Sequence, residues 1–182
     1  LPEEDKQYAT KGMMLNDIKH LLGGRVAELL TLDDISTGAS NDIQRATDVA
    51  RAMVTKYGFS DKLGPVNYSD SEEVFLGNDF SSKKSYSEEV AAEIDHEIRR
   101  IVEEAFEETK KIISENLDKL ERVAQALLAV ETLDGQQFEQ LYTGEKSAED
   151  IENDVMEKEA EIRKVNAQEA EESEKLRREA EE

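Results

Sequence analysis

The sequence predicts a mainly α fold, a helical bundle with a long antiparallel helix hairpin and one short irregular or β segment. Three observations carry this. Apolar residues recur at spacings of three and four in successive segments, which places them on one face of a helix. Capping residues and glycines stand where those patterns begin and end. Only residues 58–86 lack a helical period over any length.

Taken in order, residues 1–9 are short and polar around Pro2 and read as a loop or the end of an edge strand. A helix follows from near Thr10, with Met14, Ile18, Leu21 and Leu22 on its apolar face. At Gly23-Gly24 two readings stay open. One is a helix end, because an interior glycine costs about 1 kcal/mol relative to alanine. The other is continuation through Arg25–Leu29, with Gly23, Gly24 and Ala27 as a small-residue face for close helix packing. Residues 31–39 connect to a helix that runs to Lys56 or Tyr57, with Ile43, Ala46, Ala50, Met53, Val54 and Tyr57 on its stripe. Gly58 sits where a left-handed cap is wanted.

Within the irregular stretch, Asp61–Pro65 is turn chemistry, residues 66–68 read as a short strand, and Val74-Phe75-Leu76 as an apolar clip. Ser85 or Ser87 caps a long helix whose stripe runs Val90, Ile94, Ile98, Ile101, Val102, Ala105, Ile112 and Ile113. Its length is roughly 40 Å at 1.5 Å per residue. A second helix over 118–130 is expected to fold back on it as a hairpin, joined at residues 115–117. Thr132-Leu133-Asp134 then caps a short turn through Phe138, Leu141 and Tyr142. Beyond Gly144, Val155, Ile162 and Leu176 recur at multiples of seven with Ile151 and Val165 at the companion position. Lys158, Glu169 and Glu172 interrupt that seam. The expected division is therefore 1–143, a folded domain, and 144–182, an acidic tail that is a frayed helix or disordered, with a coiled coil as the lesser reading.

The 182 residues carry a net charge of −21, and residues 145–182 alone hold fifteen acidic and seven basic side chains. Phosphate binding needs a basic stripe, so no nucleic-acid partner is expected. An anionic membrane face would repel such a surface. The absence of cysteine excludes disulfides and thiolate metal sites and fits a reducing compartment. The chain opens on Leu1-Pro2 and not on Met, and reads as a piece of a longer protein.

A catalytic apparatus is hard to assemble from these residues. The two histidines, His20 and His96, lie far apart in sequence, neither in an HExxH pattern, and both read as surface residues. There is no GxSxG elbow, no phosphate-binding loop and no thiol nucleophile. Adjacent acids such as Asp33-Asp34 read as solvated surface. Asp42 stands out. It lies four residues before Ala46 and seven before Val49, at the edge of an apolar stripe. A first-turn acid is favoured by the helix dipole, by about 0.3–1 kcal/mol. A metal ion is the other answer to a carboxylate placed there, with histidines from another segment completing the site.

The blocks LPEEDK, LLGGRVAEL, STGASNDIQRAT, ARAMVTKYGFSDKLGPV, VFLGNDF and VETLD occur in this order. Together they resemble the peptidase domain of FtsH, the family of membrane-anchored ATP-dependent zinc metalloproteases, over residues 1 to about 143. The resemblance implies a helical metallopeptidase domain in which two histidines of an HExxH helix and one aspartate bind zinc. The matching aspartate is Asp42. The family's HExxH lies some tens of residues before LPEEDK, so the resemblance implies the C-terminal two-thirds of the peptidase domain, with no catalytic residue of its own. It likewise implies ATP and magnesium bound by an ATPase module elsewhere, protein substrates, a homo-hexamer, and a place at the bacterial inner membrane on its cytoplasmic side, attached through N-terminal segments. It favours a continuous helix at Gly23-Gly24. One departure is that the family usually has two glutamates after GGR-x-A, whereas Glu28 is followed here by Leu29; Glu28 is given no metal role. Two other readings compete: a non-catalytic acidic helical scaffold that kept the fold, and an autonomous helical binding module, which would leave apolar faces uncovered.

Overall fold

The computed structural model describes residues 8–69 and 86–180, with the side chains of 167 and 169–180 outside the description. The described residues form six helices: α1 Lys11–Thr31, α2 Ser40–Thr55, α3 Glu88–Ser114, α4 Leu117–Val130, α5 Gly135–Thr143 and α6 Ala148–Ala180. The chain falls into two compact units, residues 1–115 and 116–182.

In the first unit α1 packs against both α2 and α3, and those two against each other. Thr10 caps α1 by accepting the Met13 amide at 3.2 Å, and Ser87 caps α3 by accepting the Val90 amide at 3.3 Å. The shared core takes Ile18, Leu21 and Leu22 from α1, Ala46, Ala50, Met53 and Val54 from α2, and Ile94, Ile98, Ile101 and Ala105 from α3. These are the stripe positions read from the spacing. Each large aliphatic side chain removed from water there contributes about 1.5–3 kcal/mol. Thr109 is buried on α3 and satisfies its hydroxyl by donating to the Ala105 carbonyl at 2.7 Å.

The helix α1 runs unbroken through Gly23-Gly24. A Cβ built on either glycine meets nothing within 4 Å among the described residues. The expected close packing on that small-residue face is thus not made here, and core contacts at Leu21, Leu22 and Val26 on either side hold the helix together across it.

After α2 the chain turns at Gly58, whose φ of +62° is left-handed. A Cβ there would stand 2.8 Å from the Pro65 Cα. Both the torsion and the space require glycine. Residues 66–68 form no strand; the Tyr68 amide instead donates to the Thr55 carbonyl at 2.7 Å, and its ring meets Tyr86 edge-on at 5.8 Å. A lone hydrogen bond to a helix end supplies no neighbouring strand to pair with. The expected apolar clip at Val74-Phe75-Leu76, the loop before Tyr8 and the alternative cap at Ser85 lie outside the described residues.

In the second unit α4 packs on α5 and α6. Its buried core is small, Ala126, Leu141 and Ile151, with Val123, Val130, Leu133 and Ala148 around it. Asp134 forms a capping box with Gln137 at the start of α5. At its end Gly144 (φ +80°) leaves room for Arg122 of α4, which donates to the Leu141 carbonyl at 2.8 Å. Lys146 pairs with Asp154. Helix α3 buries its apolar face on α1 and α2, and α4 buries its own on α5 and α6. Periodicity identifies a buried face but not the neighbour that covers it. Residues 148–180 form one helix, with Ile151 of its first turn wholly buried.

Two glycine substitutions are expected to move thermal stability in opposite directions. Gly58→Ala should cost about 2–4 kcal/mol through backbone strain and collision with Pro65. Gly24→Ala, with open space above it in a helix interior, should add roughly 0.5–1 kcal/mol. Denaturation of the two variants beside the parent chain checks both.

Candidate functional site

The connector from Leu32 to Ala39 leaves α1 in extended backbone and delivers the chain to α2. It is tied to α1 by charge. The Ser36 hydroxyl donates to Glu28 Oε1 at 2.6 Å and accepts the Gly38 amide at 3.0 Å. Arg25 Nη1 lies 3.3 Å from Glu28 Oε2 and 3.2 Å from the Ser36 carbonyl oxygen. The Ser36 hydrogen bond holds the Glu28 carboxyl below its ordinary pKa, with Arg25 adding to the effect.

Asp42 occupies the first turn of α2. Its side chain is 46% exposed, and its nearest cation is Arg45 Nη1, 3.8 Å from Oδ1. That distance is too long for a hydrogen bond. The carboxylate is therefore half-buried at the rim of the apolar stripe, close to where the spacing placed it. Its electrostatic support comes from Arg45 and the helix dipole. Ile43 beside it is exposed and borders an open groove with Leu22, Arg25, Val102 and Phe106.

His20 and His96 are both exposed, on α1 and α3. Among the described residues no three His, Cys, Asp or Glu side chains come together in a way that could hold a metal ion. A metal at Asp42 would need its other donors from a segment outside these residues. A carboxylate with a lightly engaged oxygen at a helix N-terminus suits one position in such a site.

A second charged cluster was not singled out by sequence reading. Glu97 of α3 is completely buried. Arg100 grips it through two nitrogens at 2.9 and 3.0 Å, and the Ser60 hydroxyl donates to it at 2.7 Å. Ser60 in turn accepts the Lys62 and Leu63 amides at 3.2 and 3.1 Å. Lys62 stands 3.1 Å from Glu93 and 4.0 Å from Glu97. The Arg100 hydrogen bonds lower the Glu97 pKa to about 2 against the opposing effect of burial, and the guanidinium is raised in return. With both Glu97 oxygens answered, this cluster fastens the loop after α2 to α3. The available signal was Glu97 falling on the same helix face as Ile94, Ile98 and Ile101.

No described helix is long and apolar enough to cross a membrane.

Residues 1–141 match peptidase family M41, and the chain belongs to that family. It is 64% identical over 146 residues to the ATP-dependent zinc metalloprotease FtsH 2 of Alkaliphilus metalliredigens, covering 80% of this chain and 21% of that protein. To FtsH 1 of Thermoanaerobacter sp. it is 59% identical over 146 residues, 80% of this chain and 24% of the relative. To FtsH of Bacillus subtilis it is 52% identical over 143 residues, 78% of this chain and 22% of the relative. The chain thus spans between a fifth and a quarter of the length of these curated relatives.

The Glu97 cluster makes stability depend on pH in one direction. A carboxylate whose pKa falls from 4.5 to about 2 on folding contributes stability that is complete above 4.5 and is lost as the pH drops toward 2. The contribution is at most about 3 kcal/mol. Urea denaturation of the parent between pH 5 and 2 should show this acid limb, and Glu97→Gln should flatten it while lowering stability at pH 7.

Proposed function

We propose that this chain is the C-terminal part of the peptidase domain of an ATP-dependent zinc metalloendopeptidase, and that Asp42 supplies one of the zinc ligands. The observation that supports the reading is the half-exposed Asp42 carboxylate, lightly engaged at the head of α2, inside a match of 64% identity to a protein named as a zinc metalloprotease.

Zinc bound in such a site would acidify a water ligand and polarise the scissile carbonyl. The part of this chain is to position and to balance charge. Asp42 offers a single anionic oxygen that offsets part of the charge of the dication. Its place in the first turn of a helix packed through Ala46, Ala50, Met53 and Val54 keeps that oxygen directed from a rigid element. Arg45, 3.8 Å away, and the helix dipole offset part of the carboxylate's charge without saturating its oxygens. No side chain of this chain is assigned to acid–base chemistry. The histidine ligands, the general base and the sites for ATP and magnesium belong to segments outside these residues. In this reading residues 1–143 complete the peptidase domain and 144–182 form its acidic extension. Protein substrates, assembly as a homo-hexamer, and a place on the cytoplasmic side of the bacterial inner membrane through N-terminal segments complete the proposal. The names of the relatives weigh against a non-catalytic scaffold.

The experiment separates the ligand from the fold. In this chain alone, Asp42→Asn should change stability by no more than about 0.5 kcal/mol, because the side chain is exposed and weakly paired. The parent chain should not cleave casein. In the longer protein, extended upstream through the segments its relatives carry, the same substitution should abolish ATP-dependent casein degradation and deplete bound zinc. Normal degradation by that variant would remove Asp42 from the metal site.

A further inference from the structure

Helix α2 lacks the device that α1, α3 and α5 use to define their first turns. Its N-cap is Ala39, which has no side-chain acceptor to offer. A helix start without a cap gives up about 1 kcal/mol and frays more readily. Yet this is the turn that carries Asp42.

The fixing comes instead from the preceding connector. Ser36 is held at two places by α1: its hydroxyl by Glu28 and its carbonyl by Arg25. Arg25 and Glu28 are three residues apart on one helix face and are joined to each other. The same hydroxyl accepts the Gly38 amide, which curls the chain toward α2. A Cβ on Gly38 would come within 3.1 Å of the Ser36 Oγ and 3.9 Å of Glu28 Oε1, so the chain passes tightly over this clamp. From there two backbone bonds complete the path, the Ser40 amide to the Thr37 carbonyl at 3.1 Å and the Ile43 amide to the Ala39 carbonyl at 3.0 Å.

We propose that Arg25, Glu28 and Ser36 form a positioning clamp that sets the first turn of α2, and through it the direction in which the Asp42 carboxylate is presented to a metal ion. The inference rests on the reading of Asp42 as a zinc ligand and adds three positioning residues to it. None of the three touches the metal in this account; they act through the backbone between Ser36 and Asp42. Outer residues that orient a ligand are commonly worth 10–100-fold in metal affinity.

Two measurements test it. In this chain, amide hydrogen exchange at Ile43 should quicken at least tenfold in Ser36→Ala, with the amides of Ile18–Val26 unchanged. Ser36→Thr, which keeps the hydroxyl, should restore the slow exchange. Unchanged exchange at Ile43 in Ser36→Ala overturns the clamp. In the longer protein loaded with zinc, Ser36→Ala and Glu28→Gln should release the metal to a chelator about tenfold faster, while the melting temperature of the zinc-free form stays put. Equal release rates overturn the link from clamp to metal. If the unaltered longer protein takes up no zinc, the zinc reading itself fails, whereas the exchange result on the clamp still stands.

Discussion

Burying a charge is tolerable only when every one of its hydrogen-bonding positions is answered, and Glu97 is where the first unit meets that constraint. Its carboxylate lies on the same face of α3 as Ile94, Ile98 and Ile101, with no water to solvate it. Arg100 and Ser60 replace the water. Because Ser60 belongs to the loop after α2, satisfying that one acid also decides where the loop lies. The glycine turn at Gly58 and the amides of Lys62 and Leu63 then follow from it. Breaking a buried pair by removing one partner typically costs 3–5 kcal/mol, more than any single aliphatic contact in the neighbouring core.

The contrast with Asp42 separates a saturated acid from a lightly engaged one. Glu97 lies within the apolar face of α3, whereas Asp42 stands at the rim of the stripe on α2. Glu97 is saturated, with a bidentate arginine and a serine. Asp42 has one arginine nitrogen at 3.8 Å and half its side chain in solvent. An acid engaged that lightly retains capacity for a further cation, and a saturated one does not. That spare capacity is what the proposed zinc role draws on.

Much of the fold was legible because helical periodicity and capping are local. The stripes of α1, α2 and α3 and the caps at Thr10, Ser87 and Asp134 are written in residues a few positions apart. What the spacing did not disclose was pairing. Nothing local says which helices α4 packs on: Val123 and Ala126 mark an inward face, and within the second unit α5 and α6 cover it. Nor does composition reveal that Ile151, seven residues past Gly144, belongs to a core. For the candidate site, Asp42 is singled out by its register and by the surrounding STGASND block, and its metal role is the proposal made from them. Glu97 was hidden by number: among 44 acidic residues, one on the wrong face is easily counted with the rest. The Glu28–Ser36 clamp joins residues eight apart across a helix end, where no periodic rule applies.

The second unit rests on three wholly buried side chains, whereas the first rests on a dozen. Free energy of opening scales with the apolar surface that must be hydrated, so the two units stand on very different footings. Opening the second unit hydrates little more than Ala126, Leu141, Ile151 and the side chains around them. Such a chain has a soft end and a hard end, and a protease or a partner seeking temporarily unfolded backbone would find it at the soft one.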